Sequence, residues 1–577
     1  MAILLRENKD IKGINICGNE YKVLQYADDT ALLLDGTEYS LRNALTLIGQ
    51  FAKFSGLKPN YSKTLVIKIG SLKNSRIILC EEYNLTWSQN PFKFLGINFS
   101  TNLSNIEELN FPQKIQEIKK LINSWSRRLL STNGRITVVK TILLPKLTHL
   151  LIALPNPCES TIKTIEQLFF KYIWNQKTER ISRKCIIQDY RFGGLRMICI
   201  RSFMKSLKIT WIRRIINGDE HLSWLKLLSS SLPKDFQFFF KFGLEYSKLL
   251  AKAVENSFWK DVFISFYQFR FLVDNEDNVN GPLWYNNMFK INNEMLHYMN
   301  WMNKGIFFIS DLLGNDGKLL SYELFCDRYN FHPPFTLYYG MKTCIEKRKL
   351  EFDMFSLFHH QAKYPIYIRI LRKNTKGSKD FYDLFIKNIY IRPKSELKWE
   401  AELQLTNDQL HWEIINLAVH TNTNDCKYKW FQYRIIHRIL GTNVILQKIG
   451  IKDSDKCSFC QNFSETICHL FFYCEYSYKL WEEFKIWLYD TLEIELELDV
   501  KNIILGFTEK KYKRLNVIIC IMKHYIFQQK MANCIPFFAG AKISIINYLK
   551  SEKYIFKKNL QSEKFSKKWG MFQILIQ

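Results

Sequence analysis

The sequence predicts a mixed α/β chain that is mostly helical, and three observations carry that prediction. Near the start, Lys22-Val23-Leu24-Gln25-Tyr26 and Thr30-Ala31-Leu32-Leu33-Leu34 are strand-favouring runs joined by the short acidic step Ala27-Asp28-Asp29, the pattern of a β-hairpin. Apolar residues then recur at helical spacing, first in Leu41, Ala44, Leu45, Ile48, Phe51 and Ala52, later in Ile115, Ile118, Leu121, Ile122, Trp125 and Leu129. Toward the end, Cys457, Cys460, His469 and Cys474 follow C-x2-C-x8-H-x4-C, a spacing that suits a small domain closed by a metal.

The totals narrow the function classes. A chain of 577 residues has room for about four domains and an ample core, and 47% hydrophobic with 15% aromatic residues excludes a disordered chain. Lys and Arg number 82 against 55 Asp and Glu, a net charge of +27 that favours a polyanionic partner. Nucleic acid leads over a membrane, because no helix combines low overall hydrophobicity with a large basic face and no uncharged apolar run approaches a membrane span. The 14 cysteines are mostly scattered singly and Met1 to Asn8 is no signal peptide, so the expected compartment is reducing and intracellular, nucleus or cytoplasm.

In chain order, the hairpin comes first. Neighbouring strand residues point to opposite faces, so only a turn aims Asp28 and Asp29 at one place. Two carboxylates there suit Mg²⁺, a hard ion that shares oxygen ligands with substrate phosphates, and paired ions serve phosphoryl transfer. The same tip also reads as an ordinary polar turn. The helix after it stops at Gly56, and Phe94-Leu95-Gly96-Ile97 reads as a strand whose glycine admits close backbone approach.

From Phe111 to Pro145 two helical segments are expected, broken at Gly134. Their polar positions are almost purely basic (Lys114, Lys119, Lys120, Arg127, Arg128, Arg135, Lys140, then Lys146) against the single acid Glu117, which suits a phosphate backbone independent of base sequence. Trp174 reads as core and Gly193-Gly194 as a turn. Ser229 to Ser395, rich in Phe and Tyr, reads as helical packing without identifiable chemistry.

The cysteine–histidine set uses all four ligand positions of a tetrahedral Zn²⁺, leaving none for a substrate water, so a structural role is expected; Cys468, beside His469, complicates the ligand assignment. Upstream, Trp430, Tyr433, Arg434, His437 and Arg438 either meet RNA through stacking and phosphate contacts or form a helix packed under the zinc loop, with His437 a structural histidine. Leu492 to Asp499 is an edge strand or a spacer. Ser551 to Gln577, with six lysines and two glutamates, is an arm for nucleic acid or a solubilising tail.

Taken in order, Tyr26-Ala27-Asp28-Asp29, the helix, Gly56-Leu57-Lys58-Pro59-Asn60-Tyr61-Ser62-Lys63-Thr64 and Phe94-Leu95-Gly96-Ile97 resemble the palm of a non-LTR (LINE-type) retrotransposon reverse transcriptase. Trp430 to Asn443, the cysteines, His469-Leu470-Phe471 and Trp481 resemble that family's zinc-binding region, and the likeness is thinner at Phe170 to Trp174, Gly193-Gly194-Leu195 and Gly281 to Asn286. The resemblance implies a partial reverse-transcriptase palm over 1–105, a helical thumb and connector over 106–228, and a helical middle region over 229–400. A zinc-binding domain over 401–550 and a basic tail over 551–577 complete it.

It further implies RNA-directed DNA synthesis with RNA template and DNA primer or target as partners. Asp28 and Asp29 would be catalytic Mg²⁺ ligands and Lys63 would lie near the incoming triphosphate. Tyr26, Gly96, Lys119, Arg127, Arg128, Arg135 and Lys140 would contact nucleic acid, with Gly96 at the primer end, and Cys457, Cys460, His469 and Cys474 would hold Zn²⁺. Only 25 residues precede Tyr26, and Asp10, the one aspartate among them, lies in a polar turn. The expectation is therefore a polymerase fragment without fingers or first catalytic aspartate, inactive alone unless a palm and fingers segment or an RNP partner completes it. The alternative is a non-catalytic zinc-containing RNA- or DNA-binding protein.

Overall fold

The computed structural model describes residues 1–88, 91–218, 222–274, 281–348, 364–373 and 377–576. They gather into two compact units, one of Met1–Lys120, Pro145–Ile165 and Ile200–Phe385, the other of Leu121–Leu144, Glu166–Cys199 and Ile386–Gln577. The chain is mostly helical with few strands, as the apolar spacing predicts.

The first unit holds the strands. Val23–Tyr26 pairs antiparallel with Asp29–Leu32, with Tyr26 opposite Asp29. The turn is therefore Ala27-Asp28 alone, and Asp29 already belongs to the ladder, one step beyond the tip at which the sequence places it. A helix over Ala2–Glu7 lies against this hairpin, and Lys22, 9% exposed, fastens the two by donating to the carbonyls of Arg6 (3.2 Å) and Asn8 (2.9 Å).

The amphipathic helix runs Glu38–Ser55, capped by Thr37 and ended by Gly56 at φ 74°, with Leu41, Ala44 and Leu45 buried as the spacing requires. Among the described residues each strand pairs with a single neighbour; the other ribbons are Ile14–Ile16 with Asn19–Tyr21, Leu65–Ile67 parallel to Thr86–Ser88, Phe92–Phe94 with Ile97–Phe99, and Lys290–Ile291 with Glu294–Met295.

Gly96 needs correcting. It is not within a strand but in the two-residue turn Leu95-Gly96, with φ of 47° and 80°. A Cβ there would meet nothing nearer than His149 Nε2 at 3.9 Å. The glycine thus serves the left-handed turn rather than a close backbone approach.

The aromatic middle of the chain is a single core of helices, among them Leu244–Ala253 and Ser257–Val273, around fully buried Trp284, Trp301, Phe263, Phe266 and Tyr367. Arg270 penetrates it, paired with Asp274, donating to the carbonyls of Phe242 (2.5 Å) and Gly243 (3.0 Å) and lying over the Tyr367 ring. Residues 275–280, 349–363 and 374–376 of the expected middle region lie outside the described residues.

The expected helix break at Gly134 is also displaced. One helix runs Ile106–Ser126; the next, Thr132–Val138, begins at the cap Ser131, whose Oγ accepts from the Gly134 amide. The break falls at Arg127–Ser131, so Leu129 is fully exposed instead of continuing the apolar stripe. A wide turn over Val139–Leu143 and a helix over Pro145–Ala153 follow.

In the second unit, Gly193 turns at φ 73°, and Gly194 lets the chain pass the Gln188 carbonyl, which an added Cβ would meet at 2.0 Å. The unit's helices include Lys394–Leu403, Trp412–Thr421, Cys426–Ile436, Glu475–Leu492, Lys513–Met531 and Phe538–Lys558. Residues 493–499 form no strand and act as a spacer. The basic terminus is not a free arm: Ser562–Trp569 is a helix that buries Phe565 and Trp569, and Glu552 holds both the Trp569 Nε1 and the Lys568 ammonium.

Candidate metal centre

Cys457 follows a short bridge between Lys456 and Ser464, which folds the chain back so that the Cys457 amide donates to the Phe463 carbonyl (2.8 Å). Gln461, at φ 59°, completes the tight loop carrying Cys460. His469 opens a wide turn over His469–Tyr473, and the Cys474 amide closes it on the His469 carbonyl (2.8 Å), leaving Cys474 as the residue before helix Glu475–Leu492.

These two segments bring one ligand atom from each of Cys457, Cys460, His469 and Cys474 within 4.8 Å of one another. The Cys457 and Cys474 sulfurs are 3.8 Å apart, and Cys460 Sγ lies 3.4 Å from His469 Nε2. A tetrahedral Zn²⁺ with ordinary Zn–S and Zn–N bonds demands separations of about 3.8 Å and about 3.6 Å for such pairs. The donor set fits zinc. Cys468 is buried on its own, its thiol pushed up by desolvation and by Glu402, and stays outside the cluster. Hydrogen bonding between the Cys457 and Cys474 thiols, with the Cys460 and Phe459 amides, holds Cys457 below the ordinary thiol range and pushes Cys474 above it, so that the pair readily gives one of the thiolates a metal requires.

Behind the ligands lies an arrangement that sequence reasoning missed. Glu465 is fully buried, accepting from the Asn443 amide (2.9 Å) and from the Ser458 amide inside the C-x2-C loop (2.8 Å), and pairing with Lys530 Nζ at 2.7 Å. Lys530, on the helix Lys513–Met531, also donates to the Gly441 carbonyl, and Asn443 Nδ2 donates to the Lys456 carbonyl (2.6 Å) and Ser458 Oγ (3.1 Å). The metal loop is thereby tied to a helix far along the chain. An acid lying four residues before His469 was the only local hint.

Helix Cys426–Ile436 is largely packed inside the second unit, its Phe431 ring meeting Phe471 in the wide turn that His469 opens. Tyr433 is buried with its hydroxyl on the Gly193 carbonyl (3.0 Å), and His437 is buried against the Tyr433 ring. Arg438 stacks on Trp399 and pairs with Glu402.

The acidic hairpin displays Asp28 and Asp29 exposed, beside Tyr26 at 68% exposure. Lys63 is exposed in a short turn capped by Asn60. Lys119, Arg127, Arg128 and Lys140 are exposed; Arg128 stacks on Trp125, and Lys140 Nζ donates to the Arg196 carbonyl at 3.1 Å. Arg135 sits differently. It is 6% exposed, over the Tyr172 ring, and donates to the carbonyls of Leu130 (3.3 Å) and Tyr172 (3.2 Å), so it is placed inside the fold.

Comparison with known proteins bears on this centre. Residues 378–481 match the family described as zinc-binding in reverse transcriptase, a span that contains all four ligands. A stretch of 277 residues is 24% identical to the uncharacterized 149 kDa protein of transposon TX1 from Xenopus laevis, covering 46% of this chain and 21% of that protein. This chain therefore carries, toward its C-terminal end, a zinc-binding region related to that of non-LTR retrotransposon reverse transcriptases.

Proposed function

We propose that the chain is part of the RNA-directed DNA polymerase machinery of a LINE-type retrotransposon, acting inside the cell on an RNA template and a DNA primer or target. The Cys457–Cys460–His469–Cys474 cluster carries this reading, because it joins a four-ligand zinc geometry to the matched reverse-transcriptase region. Supporting it are the exposed Asp28 and Asp29 at a hairpin, exposed Lys63 in its capped turn, and exposed Lys119, Arg127, Arg128 and Lys140. The partial palm, thumb, middle region and zinc domain expected from the sequence are part of the same proposal.

Mg²⁺ is the ion such a hairpin would share with nucleotide phosphates, but Asp28 and Asp29 alone do not make a two-ion site, and among the described residues no third carboxylate joins them. A second reading follows from that observation: by itself the chain binds RNA or DNA without polymerising, its zinc region serving to hold nucleic acid in a larger assembly.

Primer extension by the purified, zinc-loaded chain with RNA template, Mg²⁺ and deoxynucleotides separates the two. The non-polymerising reading expects salt-sensitive RNA binding that Asp28→Asn leaves alone and Cys457→Ser weakens. Efficient synthesis that Asp28→Asn abolishes would overturn it. Absence of any RNA binding would remove both.

A further inference from the structure

Between helices Cys426–Ile436 and Lys513–Met531 the second unit has an open cavity of about 520 Å³ lined by Lys427, Arg434, His524, Phe527, Gln528 and Met531. Its charge is one-sided. Lys427 is exposed, Arg434 half-buried, and the guanidinium of Arg180 acts on Arg434 through space. Asp425 is the carboxylate that acts in the opposite sense on His524, and its side chain is engaged in capping the helix, accepting from the Lys427 amide at 2.7 Å.

Arg434 has no acidic partner among the described residues; burial and the Arg180 charge are what act on it. Its guanidinium lies near the rings of Phe431 and Phe527, and its Nε is buried without a hydrogen-bond acceptor. A buried charged donor left unmatched is costly, and an arginine fork is shaped to meet a phosphate with two parallel bonds. Burial first, then the Lys427 and Arg434 charges, press the His524 imidazole down to about 4, against the opposing pull of a Gln528 hydrogen bond and of Asp425. Phe527, half-exposed at the rim, offers a ring face on which a base can stack.

We propose that this cavity is a phosphate site that takes one backbone phosphate of a single-stranded nucleic acid, with Arg434 as its principal ligand and Lys427 and His524 beside it. This rests on the nucleic-acid reading above and locates one contact of it.

Two measurements on the zinc-loaded full chain test it. Thermal unfolding is followed with inorganic phosphate or pyrophosphate against sodium chloride of matched ionic strength. Binding of a fluorescent single-stranded RNA oligonucleotide is followed across salt concentrations. The variants are Lys427→Gln, which removes the charge of an exposed side chain whose ammonium lies over the Tyr428 ring, and Arg434→Met, which keeps the apolar stem.

The expected result is a phosphate-specific rise in midpoint that both variants lose. RNA affinity falls about tenfold, with a salt slope shallower by about 0.7 for each contact removed. Without phosphate, Arg434→Met unfolds no earlier than the parent, whereas a merely structural arginine predicts a lower midpoint. Salt-sensitive RNA binding that neither variant changes would overturn the strand assignment and leave the broader reading standing. A phosphate effect lost in the variants, in a chain that binds no RNA, would keep the anion site and remove the nucleic-acid reading. No phosphate effect with unchanged RNA binding overturns the site itself.

Discussion

Replacing Glu465 by Gln probes how the metal loop is held. The carboxylate is fully buried and meets three donors: the Asn443 amide at 2.9 Å, the Ser458 amide at 2.8 Å and Lys530 Nζ at 2.7 Å. An amide of the same shape turns one of those oxygens into an NH₂ group facing a donor, and leaves the Lys530 ammonium, 2% exposed, without its counter-ion. A lost hydrogen bond to a charged group contributes about 1.5–3 kcal/mol, and an uncompensated buried charge brings the total to about 3–5 kcal/mol. Because Ser458 lies between the two knuckle cysteines, zinc affinity falls as well, by about 10- to 100-fold. Urea unfolding of the zinc-loaded chain gives the first quantity and competition with a chelator the second. Adding Lys530→Met removes the stranded charge, so the double variant recovers about 2 kcal/mol relative to Glu465→Gln. The reasoning is refuted if Glu465→Gln stays within about 1 kcal/mol of the parent and binds zinc equally well.

Three other outcomes follow from the same structure. Cys457→Ser or chelation removes one corner or all of the metal, and unfolding of the second unit, followed by tryptophan fluorescence, moves to lower denaturant; an unchanged midpoint argues against a structural ion. Ala27 adopts φ 52° at the hairpin turn, a conformation that strains a residue with a Cβ by about 1 kcal/mol, so Ala27→Gly slows hydrogen exchange of the hairpin amides by about fivefold. Burial, then the Lys429 and Arg196 charges, depress His420 to about 3, and burial depresses His437 to about 4, while the unfolded imidazole titrates near the ordinary 6.5. As pH falls below about 6.5 the unfolded chain takes up these protons and the folded chain does not, so each histidine costs up to about 1.4 kcal/mol of stability per pH unit down to its folded value. Denaturation midpoints from pH 7 to 4.5 check the slope, which His420→Phe reduces.

What the sequence reveals and what it hides divide along one physical line. The hairpin, the helix Glu38–Ser55 with its Thr37 and Gly56 ends, and the cysteine–histidine cluster are legible because each is specified by residues within a few positions of one another. Where a local signal was ambiguous, the local rule that prevailed is visible. Gly134 could end a helix, but Ser131 starts one three residues earlier and the glycine is carried inside it. Gly96 was explained by its missing side chain, when its positive φ was the reason.

The places of Arg135, Glu465 and Lys568 are hidden from the sequence for another reason. Charge in a sequence suggests a solvated face, and only the distant partner decides otherwise: Tyr172 for Arg135, Lys530 for Glu465, Glu552 for Lys568. The same consideration singles out Arg434. Like Arg135 it meets no acid among the described residues, but where Arg135 Nε donates to a carbonyl the Arg434 Nε is buried without an acceptor, and that difference is what recommends a nucleic-acid phosphate as the group to complete it.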